Sequence, residues 1–233
     1  MRSIVRTVLS LIVVLTLASG PAHAVDPHRP GAPSVLLDAA YGGDDAGPAL
    51  GGKVRAKQVT LEIATQVSRT LAKAGVTVHP ARTGDATVSL DERLAKVRTM
   101  GADVYVQVTA SAAEKGCVQI TTPALPAVGE GPGDDTDRYM RRLWREDQAA
   151  RSASMAKTIA EKLREKGVPL CGEVRTEPGR LGETLVVPAV VIEWRIGKTS
   201  GAGTQKVDGR MRDRVAAGIA AGLRKDLAGT ATR

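Results

Sequence analysis

The residues of this chain that could do chemistry are few, and they gather at the ends of apolar runs. Leu36-Leu-Asp-Ala-Ala-Tyr-Gly-Gly-Asp-Asp45 carries an apolar run into a glycine turn and sets Asp38, Asp44 and Asp45 beside Tyr41. A further carboxylate, Glu193, closes the apolar run Leu185–Glu193 and is followed by Trp194 and Arg195. Metal-assisted hydrolysis needs about three N, O or S ligands around one ion and an open position for water. Of the three histidines, His23 and His28 fall in the first 33 residues, which leaves His79, at the end of a predicted strand. With the aspartates of the first loop His79 could found a metal site, although a lone histidine at a strand end is ordinarily a surface or hydrogen-bonding residue. Serine and cysteine nucleophiles fare no better, because none stands in a nucleophile-elbow context. Cys117 and Cys171 lack metal-ligand spacing and read either as a disulfide or as two buried thiols. A bridge across a loop of that size contributes on the order of 4 kcal/mol.

The elements that must position these groups alternate. Ser34 to Asp38 reads as a buried strand running into a glycine-rich loop that lasts to Gly52. Lys53 to Ala74 places Val59, Ile63, Val67 and Leu71 on one helical face and stops at Gly75. Val76 to His79 is a second strand, and Ser89-Leu-Asp-Glu92 is a capping box opening a helix that reaches Met100. Asp103 to Thr109 and Cys117 to Thr121 read as strands, and residues 122–135 as a proline-bearing loop. A long helix follows from about Thr136 to Lys166, ended by Gly167 and Pro169. Leu185 to Glu193 reads as an interior strand with Pro188 near its start, Ile196 to Thr204 as a loop, and Val207 to Leu227 as a last amphipathic helix. Alternation of this kind predicts one three-layer α/β domain over residues 34–228, with helices on both faces of a twisted, mostly parallel or mixed sheet.

Five stretches in order carry a resemblance. They are Leu37-Asp38 with Gly42-Gly43-Asp44, Val59-Thr-Leu-Glu-Ile-Ala64, Arg82-Thr-Gly-Asp85 with Ser89-Leu-Asp-Glu-Arg93, Gly101-Ala-Asp-Val-Tyr-Val106, and Pro188-Ala-Val-Val-Ile-Glu193. Together they resemble the zinc-dependent N-acetylmuramoyl-L-alanine amidases of the AmiC-like type, over nearly all the chain from Val35 to about Leu223. The resemblance implies a zinc ion held by two histidines and a glutamate, and a separate glutamate as general base. Carried over position by position, the first histidine falls on Tyr41, the ligand glutamate on Ala56 and the second histidine on Thr109. All three ligands are replaced, so the expectation is no metal and no cofactor. Glu193 matches the catalytic glutamate, left idle. Water free in bulk has a pKa near 15.7 against about 7 on zinc, a gap of roughly 12 kcal/mol that Glu193 alone does not close. Trp194 and Arg195 depart from the family pattern and are expected to fill the emptied pocket, or to present an aromatic-plus-basic rim to a sugar or peptide.

Composition bounds the setting. Arg2 and Arg6 precede the apolar run Val8 to Leu17, and Ala22-His23-Ala24 fits a small-x-small cleavage site. Residues 1–24 are expected to be a signal peptide, residues 25–33 a proline-rich leader, and the protein exported, periplasmic or secreted to the cell envelope. An uncleaved anchor is the other reading of that run, although a helix needs about 20 apolar residues to span a bilayer. The net charge is +8, and loss of Arg2 and Arg6 leaves +6. Phe is absent and aromatics make up 2% of residues, so no stacking platform for nucleic acid is expected. In Arg138-Tyr-Met-Arg-Arg-Leu-Trp-Arg145, Arg141, Arg142 and Arg145 read either as a solvated helix face or as a contact to an anionic polymer. The expected role is an inactive amidase relative that binds peptidoglycan or another anionic envelope polymer, or that regulates a cell-wall hydrolase. The alternative is an active amidase cleaving the MurNAc–L-Ala amide with a relocated metal site.

Overall fold

A computed structural model describes residues 32–126, 134–197 and 207–230. The signal peptide and most of the leader expected at the N-terminus, and most of the loop after Ile196, lie outside the described residues. The elements are β1 (Ser34–Ala39), α1 (Ala56–Lys73), β2 (Thr77–Pro80), α2 (Leu90–Thr99), β3 (Val104–Ala112), β4 (Cys117–Pro123), α3 (Asp135–Glu165), β5 (Arg175–Glu177), α4 (Arg180–Thr184), β6 (Ala189–Ile196) and α5 (Gly209–Thr230). One six-stranded sheet runs in the order β2-β1-β3-β6-β4-β5. All its neighbours are parallel except β4 and β6, which are antiparallel, so the sheet is mixed.

Alternation along β3 and β6 explains the layers. Val104, Val106, Val108 and Ala110, with Val190, Ile192 and Trp194, face the larger core, which α1, α3 and α5 cover. Tyr105 and Ala189 face the smaller core, which Leu94 and Val97 of α2 close with Leu185. Helices therefore lie on both faces, as the alternation predicts. The predicted stripe of α1 is wholly buried: Val59, Ile63, Val67 and Leu71. Gly75 ends that helix at φ 78°, a conformation that only a residue without Cβ takes cheaply. The capping box of α2 forms, with the Glu92 amide donating to Ser89 Oγ at 3.2 Å and the Ser89 amide to Glu92 Oε2 at 2.7 Å.

Several boundaries move, with β3 running on to Ala112 and β4 to Pro123. Helix α1 starts at Ala56, because Ala49 and Arg55 pair in an isolated bridge just before it. Strand β6 starts at Ala189 and runs on to Ile196; Pro188 has no N–H for a ladder and only accepts from the Tyr105 amide, at 2.9 Å. Elements β5 and α4 stand where the sequence showed no periodic signal. Cys117 and Cys171 are bridged by a disulfide, which ties the start of β4 to the chain that leads into β5. Among the described residues no helix is long and apolar enough to cross a membrane.

Candidate functional site

The loop after β1 is held by two arginines before it presents anything. Arg93, 6% exposed, donates from Nη1 to the Ala39 carbonyl at 3.0 Å and from Nη2 to the Tyr41 carbonyl at 2.9 Å. Arg82, 5% exposed, donates from Nε to the Ala39 carbonyl at 2.9 Å and from Nη2 to the carbonyls of Ala40 at 3.1 Å and Lys57 at 2.7 Å. Planar forks satisfy several carbonyls at once, which an ammonium cannot do. Burial, and then the charge of Arg93, lower the pKa of Arg82. Asp38, fully buried, balances the pair: it receives Arg93 Nη1, the Tyr105 hydroxyl at 2.6 Å and Gln107 Nε2 at 2.9 Å. Burial, followed by the Asp38 charge, pushes the Tyr105 phenol well above its usual range. Farther out, Lys57 Nζ bonds the Gly43 carbonyl at 2.8 Å and Asp85 at 2.7 Å, which fixes the glycine turn.

So anchored, Tyr41 adopts φ 67°, the left-handed region, which costs a residue with Cβ roughly 1–3 kcal/mol. Its ring packs over Gly47: a Cβ added there would lie 2.7 Å from the ring and 2.9 Å from the Ala56 methyl. Its hydroxyl receives Thr109 Oγ1 at 3.0 Å. Tyr41, Ala56 and Thr109, far apart in sequence, therefore converge, from the β1 loop, the first turn of α1 and the middle of β3. Thr109 is the register partner of Glu193 on β6. Both oxygens of Glu193 are engaged, Oε1 by Ser111 Oγ at 2.6 Å and Oε2 by Arg195 Nε at 2.8 Å.

Of these residues, Thr109 and Glu193 lie on the floor of a groove of about 410 Å³ over β3, β6 and β4. Gln107, Thr109, Thr121, Val191 and Glu193 form the floor, Leu90 of α2 one side, and Glu177 to Leu181 the other. The latter wall is held to the sheet by close approach, since a Cβ on Gly182 would lie 1.9 Å from the Ala124 carbonyl oxygen. Arg180 of the wall pairs with Asp91 of α2 at 2.6 Å, so the two sides are joined.

Two expectations are corrected, one by strand parity and one by burial on α3. Trp194 does not fill or rim the groove: it alternates with Glu193 onto the opposite face, is 4% exposed and belongs to the larger core. Only Arg195 shares the face of Glu193. The arginines of α3 do not form one open basic face either. Arg141 and Arg145 are half-buried, Arg145 donating to the Pro126 carbonyl at 2.9 Å, and Arg142 alone of the three is exposed. Gln107 and Thr121 went unread as groove residues, and Ser111 as a partner of Glu193. Period-two counting from Thr109 would have found Gln107 and Ser111.

Chemically the cluster offers a phenol, a methyl and a hydroxyl, and none of them is a zinc ligand at neutral pH. The zinc that the resemblance implies does not fit these residues. Among the described residues no three His, Cys, Asp or Glu side chains are grouped to hold a metal ion. His79 lies on β2 opposite Leu36, near the edge of the sheet and outside the groove lining. The groove presents hydrogen-bonding and apolar groups side by side.

The fold and the groove define a three-layer α/β domain with a candidate site over one face of its mixed sheet. This chain belongs to the N-acetylmuramoyl-L-alanine amidase family, whose pattern its residues 35–225 match. It is 36% identical over 80 residues to N-acetylmuramoyl-L-alanine amidase AmiC of Neisseria meningitidis, a stretch covering 34% of this chain and 19% of that protein. It is 32% identical over 108 residues to the uncharacterized protein YqiI of Bacillus subtilis, covering 46% of this chain and 50% of the other. The chain thus spans about a fifth to a half of the length of the curated relatives it matches. The fold is that of the CwlD amidase of Clostridioides difficile, solved in complex with the GerS lipoprotein. The TM-score is 0.62 at 19% identity, over 84% of this chain and 99% of that one.

Proposed function

We propose that this protein is an exported, non-hydrolytic member of the amidase family that binds peptidoglycan in the groove over β3 and β6. The observation that carries the reading is the contact of the Tyr41 hydroxyl with Thr109 at 3.0 Å. In this reading the metal-ligand positions of the family are Tyr41, Ala56 and Thr109, and a side-chain plug occupies the space of the ion. Glu193 keeps the place of the general base, but Ser111 and Arg195 take both its oxygens. The groove floor carries the amide of Gln107, the hydroxyls of Thr109 and Thr121 and the carboxylate of Glu193 beside the apolar Val191, which suits the amides and sugar hydroxyls of a peptidoglycan strand. A protein that covers stem peptides without cutting them also regulates the hydrolases that need the same peptides.

The test pairs binding with turnover. Purified protein is mixed with isolated sacculi, with and without added zinc, and both the bound fraction and the released stem peptides are measured. The expected result is zinc-independent binding with no release, weakened about tenfold or more by Val191→Arg, which fills the groove floor. Release of stem peptide would overturn the reading in favour of an active amidase. Absence of binding, or binding indifferent to Val191→Arg, would overturn it in favour of a module that acts through another surface.

A further inference from the structure

The first half of α3 overhangs the domain. Gln148, Ser152, Met155, Ile159 and Leu163 bury its second half, whereas the turns before Gln148 carry most of the large apolar side chains the molecule exposes. These are Tyr139 at 57%, Met140 at 58%, Leu143 at 40% and Trp144 at 46%. At 3.6 residues per turn the four fall within an arc of about 140°, a continuous apolar stripe. Patches of this kind on a soluble domain mark an interaction surface, and Trp, Tyr, Met and Arg are the residues enriched in such surfaces. The stripe continues onto the body of the domain. Trp144 lines a cleft of about 220 Å³ together with Val186, itself 47% exposed, and Pro188.

The charges around the stripe decide what covers it. From Asp134 to Arg151 the helix carries five acidic residues and five arginines, so the segment has no net charge to draw it to an anionic lipid or polymer. Their order is acid, base, acid, base: Asp134, Asp135 and Asp137; Arg138 to Arg145; Glu146 and Asp147; Arg151. That pattern is its own complement when reversed. Two such helices laid antiparallel about a point near Trp144 bring Asp137 of each copy opposite Arg151 of the other, along one flank of the stripe. On the other flank Arg142 meets Glu146. All four of these side chains belong to exposed residues. An unrelated partner would not require the charge order to be self-complementary, and an isologous contact does.

We propose that the exposed half of α3 is a self-association surface, on which a second copy of this chain packs its own α3 antiparallel about a two-fold axis near Trp144. The experiment is sedimentation velocity on the purified chain from Val25 onward, which contains the whole compact unit, over micromolar to submillimolar concentration. A reversible dimer is expected for the parent and a monomer for Leu143→Asp. Asp137→Arg alone should weaken the dimer about tenfold, and Asp137→Arg with Arg151→Asp should restore it, since the symmetry re-forms both pairs. If thermal melting shows that Leu143→Asp is misfolded, Tyr139→Glu at a more exposed position replaces it. A parent that stays monomeric overturns the proposal, as does a dimer indifferent to the stripe variants or a double swap that fails to restore it. Co-sedimentation of the parent with anionic phospholipid vesicles, lost in Tyr139→Glu, overturns it in favour of a membrane-facing helix.

Discussion

At the scale of single residues, the proposed loss of metal chemistry rests on three positions, and their replacement is reversible in principle. Tyr41, Ala56 and Thr109 already converge, so ligand groups placed there would meet without moving the backbone. Tyr41→His, Ala56→Glu and Thr109→His combined should give a protein that takes up one zinc ion per chain at micromolar concentration or below, where the parent takes up none. Calorimetric titration of metal-stripped protein reads this directly, and a folded triple variant without affinity for zinc would show that the ligand positions have been carried over wrongly. Amidase turnover should stay low even in the zinc-loaded variant, because Ser111 at 2.6 Å and Arg195 at 2.8 Å still hold Glu193. The convergence was legible from the order of the five family-like stretches, whereas the grip on Glu193 was not. Ser111 is a small polar residue with no local pattern, and only the pairing of β3 with β6 brings it to Glu193. Trp194 was misread although its parity was available: if Glu193 points into the groove, its neighbour in an extended strand points away.

At the scale of elements, α3 and α5 fit closely, helix on helix. A Cβ on Gly222 of α5 would lie 2.6 Å from Ile159 Cα, and one on Gly218 would lie 2.7 Å from the Leu163 side chain and 3.0 Å from its Cα. The backbones of α3 and α5 are therefore in near contact, and no rotamer change relieves an added side chain there. Gly222→Val should lower stability by about 2–3 kcal/mol, read from the urea midpoint at an unchanged slope. Gly229, where a Cβ meets nothing within 4 Å, gives the control: Gly229→Ala should leave the midpoint nearly unmoved. The helices were legible because their apolar stripes and stops are strong signals, as Val59 to Leu71 and Gly75 illustrate. Strand β5 was not, since Arg175, Thr176 and Glu177 are polar and exposed, and the segment is a strand only because β4 offers an edge. That edge lies near the disulfide between Cys117 and Cys171, so the groove wall owes its place to a long-range covalent tie that spacing alone left open.

At the scale of the whole molecule, the smaller core is built around a polar centre. Asp38 of β1, Arg93 of α2, Tyr105 of β3 and Gln107 form one buried network, in which both oxygens of Asp38 are used. Such a centre is stable only while each member keeps its protonation state. The Tyr105 phenol is held above its ordinary range of about 10, by burial first and by the Asp38 charge second. In the unfolded chain it ionises near 10. Below that pH both states hold the proton, and the stabilisation is fully present. As pH rises past 10 the unfolded state loses a proton that the folded state keeps, so stability should fall by roughly 1.4 kcal/mol per pH unit until the folded pKa is passed. Lysines elsewhere also titrate in this window, so the informative quantity is a difference between two proteins. Urea unfolding of the parent and of Tyr105→Phe, compared from pH 8 to 11, should show a lower but flatter curve for the variant, the two converging as pH rises. Parallel curves would mean that Tyr105 ionises as freely folded as unfolded, and the buried network would then not be the point at which alkali opens this fold.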